Sequence, residues 1–356
     1  MRTPLTILLL LVSLTCAGWA KTFIYTSLSG DNAIAVHQLD PKTGELSYIG
    51  KAQADSKPGA LTTSSDHKFL YASLRGSSAV GVYAIDPESG ELSHQQTTPL
   101  PGNASYLFVD QTGHFLLSAY YADGRIAVNR ISEDGNVKGD DFQVIDNGLK
   151  AHSIRADASN RFVFCPHTGE VNKIDQYLFN PETGRLSPND PPVVAQPAEN
   201  IGPRHFQFHP DGEWVYFVNE QGASVTGYEL NKKKGTLTPL ETVSTLPKDF
   251  EGKNSCADIE IHPSGKFLYA SNRGHDSIAC FAIDPEGGSL IPLGQAPTEA
   301  TPRSFDLDPN GQYLIAAGQK SGTQAIYRID QETGKLTKLA VMEIGNGPSW
   351  VEAVKF

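Results

Sequence analysis

Cysteine is scarce in this chain. Four occur in 356 residues, no two are spaced as CxxC, and Cys16 falls within the first twenty residues. The other three, Cys165, Cys256 and Cys280, are odd in number and widely spaced. That pattern argues against a cysteine zinc site and against a disulfide framework. Each stands beside apolar residues and reads as a buried free thiol. Basic runs are also lacking. Lys and Arg total 29 against 40 Asp and Glu, a formal net charge of −11. Such a surface suits neither nucleic acid nor an anionic membrane. No stretch longer than ten residues carries helical periodicity, and no apolar run beyond the N-terminus could span a bilayer. Phosphate-cradling glycine loops, HExxH and GxSxG are all missing. His205 and His209 lie four apart, but on a strand rather than a helix, so they do not make a shared metal site. Nothing in the sequence calls for a metal or another cofactor.

The N-terminus has a different character. Met1-Arg2 is followed by an apolar run from Leu5 to Leu14, and Gly18-Trp19-Ala20 puts small residues at −3 and −1 of a cleavage point before Lys21. This predicts a secretory signal peptide over 1–20, a mature chain of 21–356 without a membrane anchor, and export to a periplasm or beyond.

What is abundant is glycine (33) and proline (23), and they recur in register. One turn reads Asp40-Pro-Lys-Thr-Gly-Glu-Leu, and returns at Asp86, Asn180, Asp284 and Asp330, with weaker copies at Ser132 and Asn231. Its glycines are Gly44, Gly90, Gly135, Gly184, Gly235, Gly288 and Gly334, so the period is near 48 residues. A second turn, such as Pro210-Asp211-Gly212 or Pro309-Asn310-Gly311, keeps phase with the first and joins two strand-like runs. The turn acids bond to their own backbone on this reading and do no chemistry. Four short strands per period predict an all-β, seven-bladed β-propeller in one domain. The innermost strand occurs six times within the chain, and its seventh copy is the C-terminal Pro348-Ser-Trp-Val-Glu-Ala-Val. That strand is therefore expected to complete the first blade and close the ring.

Alignment on the second turn isolates two columns. Eight residues back stand Gly59, Ser105, His152, Arg204, Ala257, Arg303 and Ser349. Eight forward stand Arg75, Tyr121, Thr168, Glu220, Arg273 and Gln319, with Ser29 aligned on its strand. The two strands form a hairpin, so both columns ring one mouth of the central channel. An acidic chain has gathered four arginines there, which suits a small anionic ligand. Arg204, Arg273, Glu220 and His152 are the candidate catalytic groups. Arg303, Arg75, Tyr121, Gln319 and His205 are the candidate binding groups. Nearby His205, Asp258, Asp306 and Glu352 also read as groups that bond between blades. No nucleophile is evident, and general acid–base chemistry with electrostatic stabilisation fits better.

Several segments carry a resemblance. Gly202-Pro-Arg-His-Phe-Gln-Phe-His-Pro with Tyr216-Phe-Val-Asn-Glu220, Ala257-Asp-Ile, Leu268-Tyr-Ala-Ser-Asn-Arg273, Pro302-Arg-Ser-Phe with Gly311 to Gln319, and Gly345-Asn-Gly-Pro-Ser-Trp350-Val resemble the lactonase-type propellers of the 6-phosphogluconolactonase family, which also includes fungal carboxymuconate-cyclising enzymes. The resemblance spans 22–356. It implies a lactone hydrolase that opens 6-phosphoglucono-1,5-lactone, with the family's histidine, arginines and glutamate falling on His152, Arg204, Glu220, Arg273 and Arg303. The base would be His152 or Glu220, and the arginines would hold the oxyanion. Sugar phosphates are scarce outside the cytoplasm, so an exported member could instead take an unphosphorylated aldonolactone. A muconate-type cycloisomerase and a non-enzymatic binding propeller are the alternatives.

Overall fold

The computed structural model describes residues 20–139 and 143–356. The predicted leader lies outside them except for Ala20. Seven four-stranded antiparallel sheets follow one another round a ring. In the first, Pro348–Lys355 pairs with Thr22–Leu28, which pairs in turn with Ala33–Leu39 and then Leu46–Gln53. The C-terminal strand thus closes the ring as expected, in a register from Thr22 opposite Lys355 to Leu28 opposite Pro348. Closure leaves no open sheet edge at the seam.

Strand burial follows position in the blade. Second strands such as Phe115–Tyr120 and Tyr313–Gly318 are buried throughout. They are apolar on both faces because each sheet is packed between two others. Outermost strands such as Leu336–Glu343 are largely exposed. Hydrophobic clusters lie between blades. Tyr71 and Val80 of the second blade, for example, share one with Leu107 and Leu116 of the third.

The recurring glycine turn is a latch between blades. Its leading acid or amide bonds its own backbone: Asp40 Oδ1 accepts from Lys42 N at 2.7 Å, and Asn231 Oδ1 from Lys233 N at 3.1 Å. Its glycine then meets the aromatic residue of the preceding blade's second strand. Gly90 packs on Phe23, Gly135 on Phe69, Gly184 on Phe115, Gly235 on Phe162, Gly288 on Trp214, Gly334 on Phe267, and Gly44 back on Tyr313. Four tyrosines add a second tie: Tyr25, Tyr71, Tyr216 and Tyr269 each donate to the carbonyl of the glycine one blade on, at 2.7–3.0 Å.

The innermost strands include Pro58–Thr63, Pro203–Phe208, Ser255–Ile261 and Pro302–Leu307. Their register with the second strands slips near the start, between Pro58 and Leu61, Pro203 and Phe206, Cys256 and Ile259, and Pro302 and Ser304. Such bulges bend the strand and re-aim its side chains. They let two successive residues, Arg204 and His205, line the same recess.

Candidate functional site: a cationic mouth over a buried histidine

The mouth is built from strand ends. Arg204, His205 and Arg303 come from bulged inner strands, and Glu220 and Arg273 from the ends of second strands. Serine hydroxyls tie the inner strands to neighbouring blades. Ser153 Oγ donates to the Arg204 carbonyl at 2.7 Å, and Ser27 Oγ to that of Gly59 at 2.7 Å.

One carboxylate serves two guanidinium groups. Glu220 Oε1 accepts from Arg273 Nη2 at 2.8 Å, and Glu220 Oε2 lies 3.4 Å from Arg204 Nε without a hydrogen bond. Arg204 is only 2% exposed, and its Nη1 donates to the Ala257 carbonyl. Arg273 also donates to the carbonyls of Cys256 (2.7 Å) and Ser255 (3.3 Å). Arg75 and Arg303 differ. Both line the recess, and among the described residues neither guanidinium holds a hydrogen bond or ion pair.

The electrostatics follow. Burial, then Arg273 and Arg303, push the Arg204 guanidinium well below its ordinary range. Burial, then Arg273 and Arg75, bring Arg303 down to about 10. Burial would raise the Glu220 carboxyl, but Arg204 and Arg273 outweigh it and hold it low. His152 is buried, and burial with the Arg204 charge depresses its imidazole far below the usual range. His205 is brought to about 4 by burial and Arg204, against the opposing pull of Asp258. Both imidazoles are therefore neutral at neutral pH.

Most of the predicted residues come together. Arg75, Arg204, His205 and Arg303 line one recess with Gly59, Ser105, Ser349 and Trp350. His152 stands with its ring centroid 5.1 Å from that of His205, and Tyr121 packs edge-on against His152 at 5.5 Å. Gln319 sits at its strand end, its backbone N–H bonded to Thr301, and no side-chain contact joins it to the cluster among the described residues. Asp258 and Asp306 do bond between blades: Asp258 Oδ2 accepts from Phe305 N, and Asp306 Oδ2 from Ala353 N. Glu352 departs from that expectation. It accepts from Trp350 Nε1, on its own strand, at 3.2 Å. Cys165, Cys256 and Cys280 are buried free thiols.

Two features escaped sequence reasoning. Trp350 and Tyr106 wall His205, with ring centroids 5.6 and 5.2 Å from it. Further along the channel a chain of bonds crosses three blades, from Arg155 Nη1 to Gln207 Oε1 (2.6 Å) and from Gln207 Nε2 to Glu260 Oε1 (2.7 Å). A second cavity there is lined by Asp258, Glu260, Asp306, Glu352 and Arg155. Counting a single column of the strand could not reveal a bulge that brings the next column in.

Residues 24–353 match the family model described as lactonase, 7-bladed beta-propeller. The chain belongs to this family. It is 35% identical over 255 residues to a 6-phosphogluconolactonase of Pectobacterium carotovorum, covering 72% of this chain and 76% of that one. A 6-phosphogluconolactonase of Cronobacter sakazakii is 34% identical over 331 residues, 93% of this chain and 98% of its own. Among solved structures, the periplasmic gluconolactonase of Pseudomonas aeruginosa superposes with a TM-score of 0.86 at 26% identity, covering 94% of this chain and 99% of that one.

Proposed function

We propose that the chain hydrolyses a sugar lactone at the cationic mouth, with 6-phosphoglucono-1,5-lactone, opened to 6-phosphogluconate, as the leading substrate. The observation that carries this reading is the imbalance of charge. Arg75, Arg204, Arg273 and Arg303 gather where only two ionised carboxylates, Glu220 and Asp258, stand among them, and among the described residues the guanidinium groups of Arg75 and Arg303 hold no hydrogen bond or ion pair. An anion bound between them relieves their mutual repulsion. Arg75 and Arg303 are free to take the substrate's phosphate and to meet the developing oxyanion, where a well-placed donor contributes on the order of 3 kcal/mol. The contacts of Glu220 support a role in holding Arg204 and Arg273, because a carboxylate kept ionised by two cations is a weak base. His152 and His205 are instead placed to accept the proton of the attacking water, since each keeps one ring nitrogen without a hydrogen bond among the described residues. Tyr121, against His152, and Gln319 belong to the binding rim on this reading.

A second substrate reading has its own support. The apolar leader proposed for 1–20 and the similarity to a periplasmic gluconolactonase favour export, and with it unphosphorylated glucono-1,5-lactone. The test is hydrolysis of both lactones in parallel by the purified protein, with acid release followed by a pH indicator and the spontaneous rate subtracted. Saturable turnover of the phosphorylated lactone is expected. Turnover of glucono-1,5-lactone alone would favour the second reading. No rate above the blank on either would overturn the lactonase reading and shift weight to a cycloisomerase or a binding propeller.

A further inference from the structure

Among the described residues, Nε of Arg204 and Nε2 of His205, both of which line the recess, and Nδ1 of His152, whose ring packs against His205, are buried without a hydrogen bond. Buried polar atoms are rarely left so, and each such atom calls for a reason. For His205 the bonding is unambiguous. Its Nδ1 lies 2.7 Å from Asp258 Oδ1. Burial would raise the Asp258 carboxyl, but His205 and Arg204 outweigh it, so it is ionised and accepts. Nδ1 must then carry the proton, and Nε2 keeps its lone pair. Asp258 is itself fixed by Phe305 N. Tyr106, His152 and Trp350 hold the imidazole on its other sides. The recess offers about 20 Å³ to the centre of a water molecule. That is room for one water and far too little for a sugar ring.

Resting on the lactonase reading above, we propose that this recess holds the hydrolytic water and that His205, oriented by Asp258, is the base that takes its proton. Arg204 Nε–H donates to the water oxygen, and the water donates to His205 Nε2, with His152 Nδ1 as its third partner. On attack, one O–H bond of the water breaks and its proton passes to His205 Nε2. The oxygen forms a bond to the lactone carbonyl carbon, and the carbonyl π pair moves onto the oxyanion facing the arginines. Collapse restores the carbonyl and breaks the ring C–O bond. The leaving alkoxide takes the proton back from the imidazolium. The net change is addition of water, giving a hydroxy acid that then ionises. The charged and titratable groups that face His205 are Asp258, Arg204, Arg303, His152 and Tyr106.

The test compares wild type with His205→Asn and Asp258→Asn on whichever lactone the wild type turns over. Asparagine at 205 can still donate to Asp258 but has no base to offer. His205→Asn should lower kcat by roughly 10²-fold or more. KM should stay within about threefold, because the water and not the substrate loses its partner. The wild type should show an acid limb near pH 4, and this limb should vanish in the variant. Asp258→Asn removes the carboxylate that favours the imidazolium, so its limb should move to lower pH while kcat falls by roughly tenfold or more. A purely structural role would lower thermal stability and leave the limb in place. If His205→Asn does not fold, Asp258→Asn decides. A His205→Asn enzyme with wild-type kcat, or an unmoved limb in the variant that folds, overturns the proposal. A wild type inactive on both lactones overturns the lactonase reading instead, and the proposal falls with it.

Discussion

Four guanidinium groups outnumber the two ionised carboxylates beside them, Glu220 and Asp258, and the site uses that mismatch. Glu220 holds Arg273 and lies beside Arg204, leaving Arg75 and Arg303 uncommitted above a neutral His205. Further along the channel the sign reverses. Burial, then Asp306 and Asp258, raise the Glu260 carboxyl well above its ordinary range. The native state therefore keeps a proton that the unfolded chain gives up, and native stability falls as pH rises from the ordinary carboxyl range through the raised one. Glu260→Gln removes this titration while its carbonyl can still accept from Gln207. The variant's melting temperature should exceed that of wild type by a few degrees at pH 8, and the gap should close toward pH 4.5. Melting curves at the two pH values check this, and an equal or larger gap at pH 4.5 would refute it. The arginines, His152 and Glu220 were legible in the sequence because they fall in two columns. The commitment of Arg204 to the Ala257 carbonyl, and the freedom of Arg303, were not legible, because they depend on side-chain reach.

At the scale of the element, the repeated turn explains more than chain reversal. Gly235 has φ +66°, and a Cβ built on it would stand 2.0 Å from the Phe162 ring. Gly235→Ala should cost about 2–4 kcal/mol, combining left-handed strain with overpacking. Chemical denaturation checks this, and a loss below about 0.5 kcal/mol, the ordinary scale of surface substitutions, would mean that the latch is slack. Strands were legible to within a residue or two. In the fifth blade the residue pattern alone reads as strands near 204–209, 213–219, 224–230 and 237–243, and the structure has Pro203–Phe208, Trp214–Asn219, Ser224–Asn231 and Thr236–Ser244. The bulges were not legible, since a register slip depends on the partner strand and leaves no mark in a strand's own alternation. The column count placed Arg204 at the mouth and read His205 mainly as an inter-blade group; its bond to Asp258 bears that out, and the bulge adds a place in the recess that the count did not show.

The whole molecule is a closed ring carrying a formal charge of −11, with arginines concentrated at one end of its channel. Ring closure was readable from the sequence because six inner strands lie within the chain and the seventh is its C-terminus. An acidic exterior around a cationic mouth directs small anions to that one place. The most direct measurement is kcat/KM for 6-phosphoglucono-1,5-lactone with wild type and Arg303→Gln, with melting temperatures taken alongside. Arg303 carries no structural bond among the described residues, so the fold should not change. The account predicts a loss of about 10²-fold in kcat/KM at unchanged melting temperature. A variant that turns over this lactone as well as wild type would contradict the claim that the mouth is where the lactone is opened.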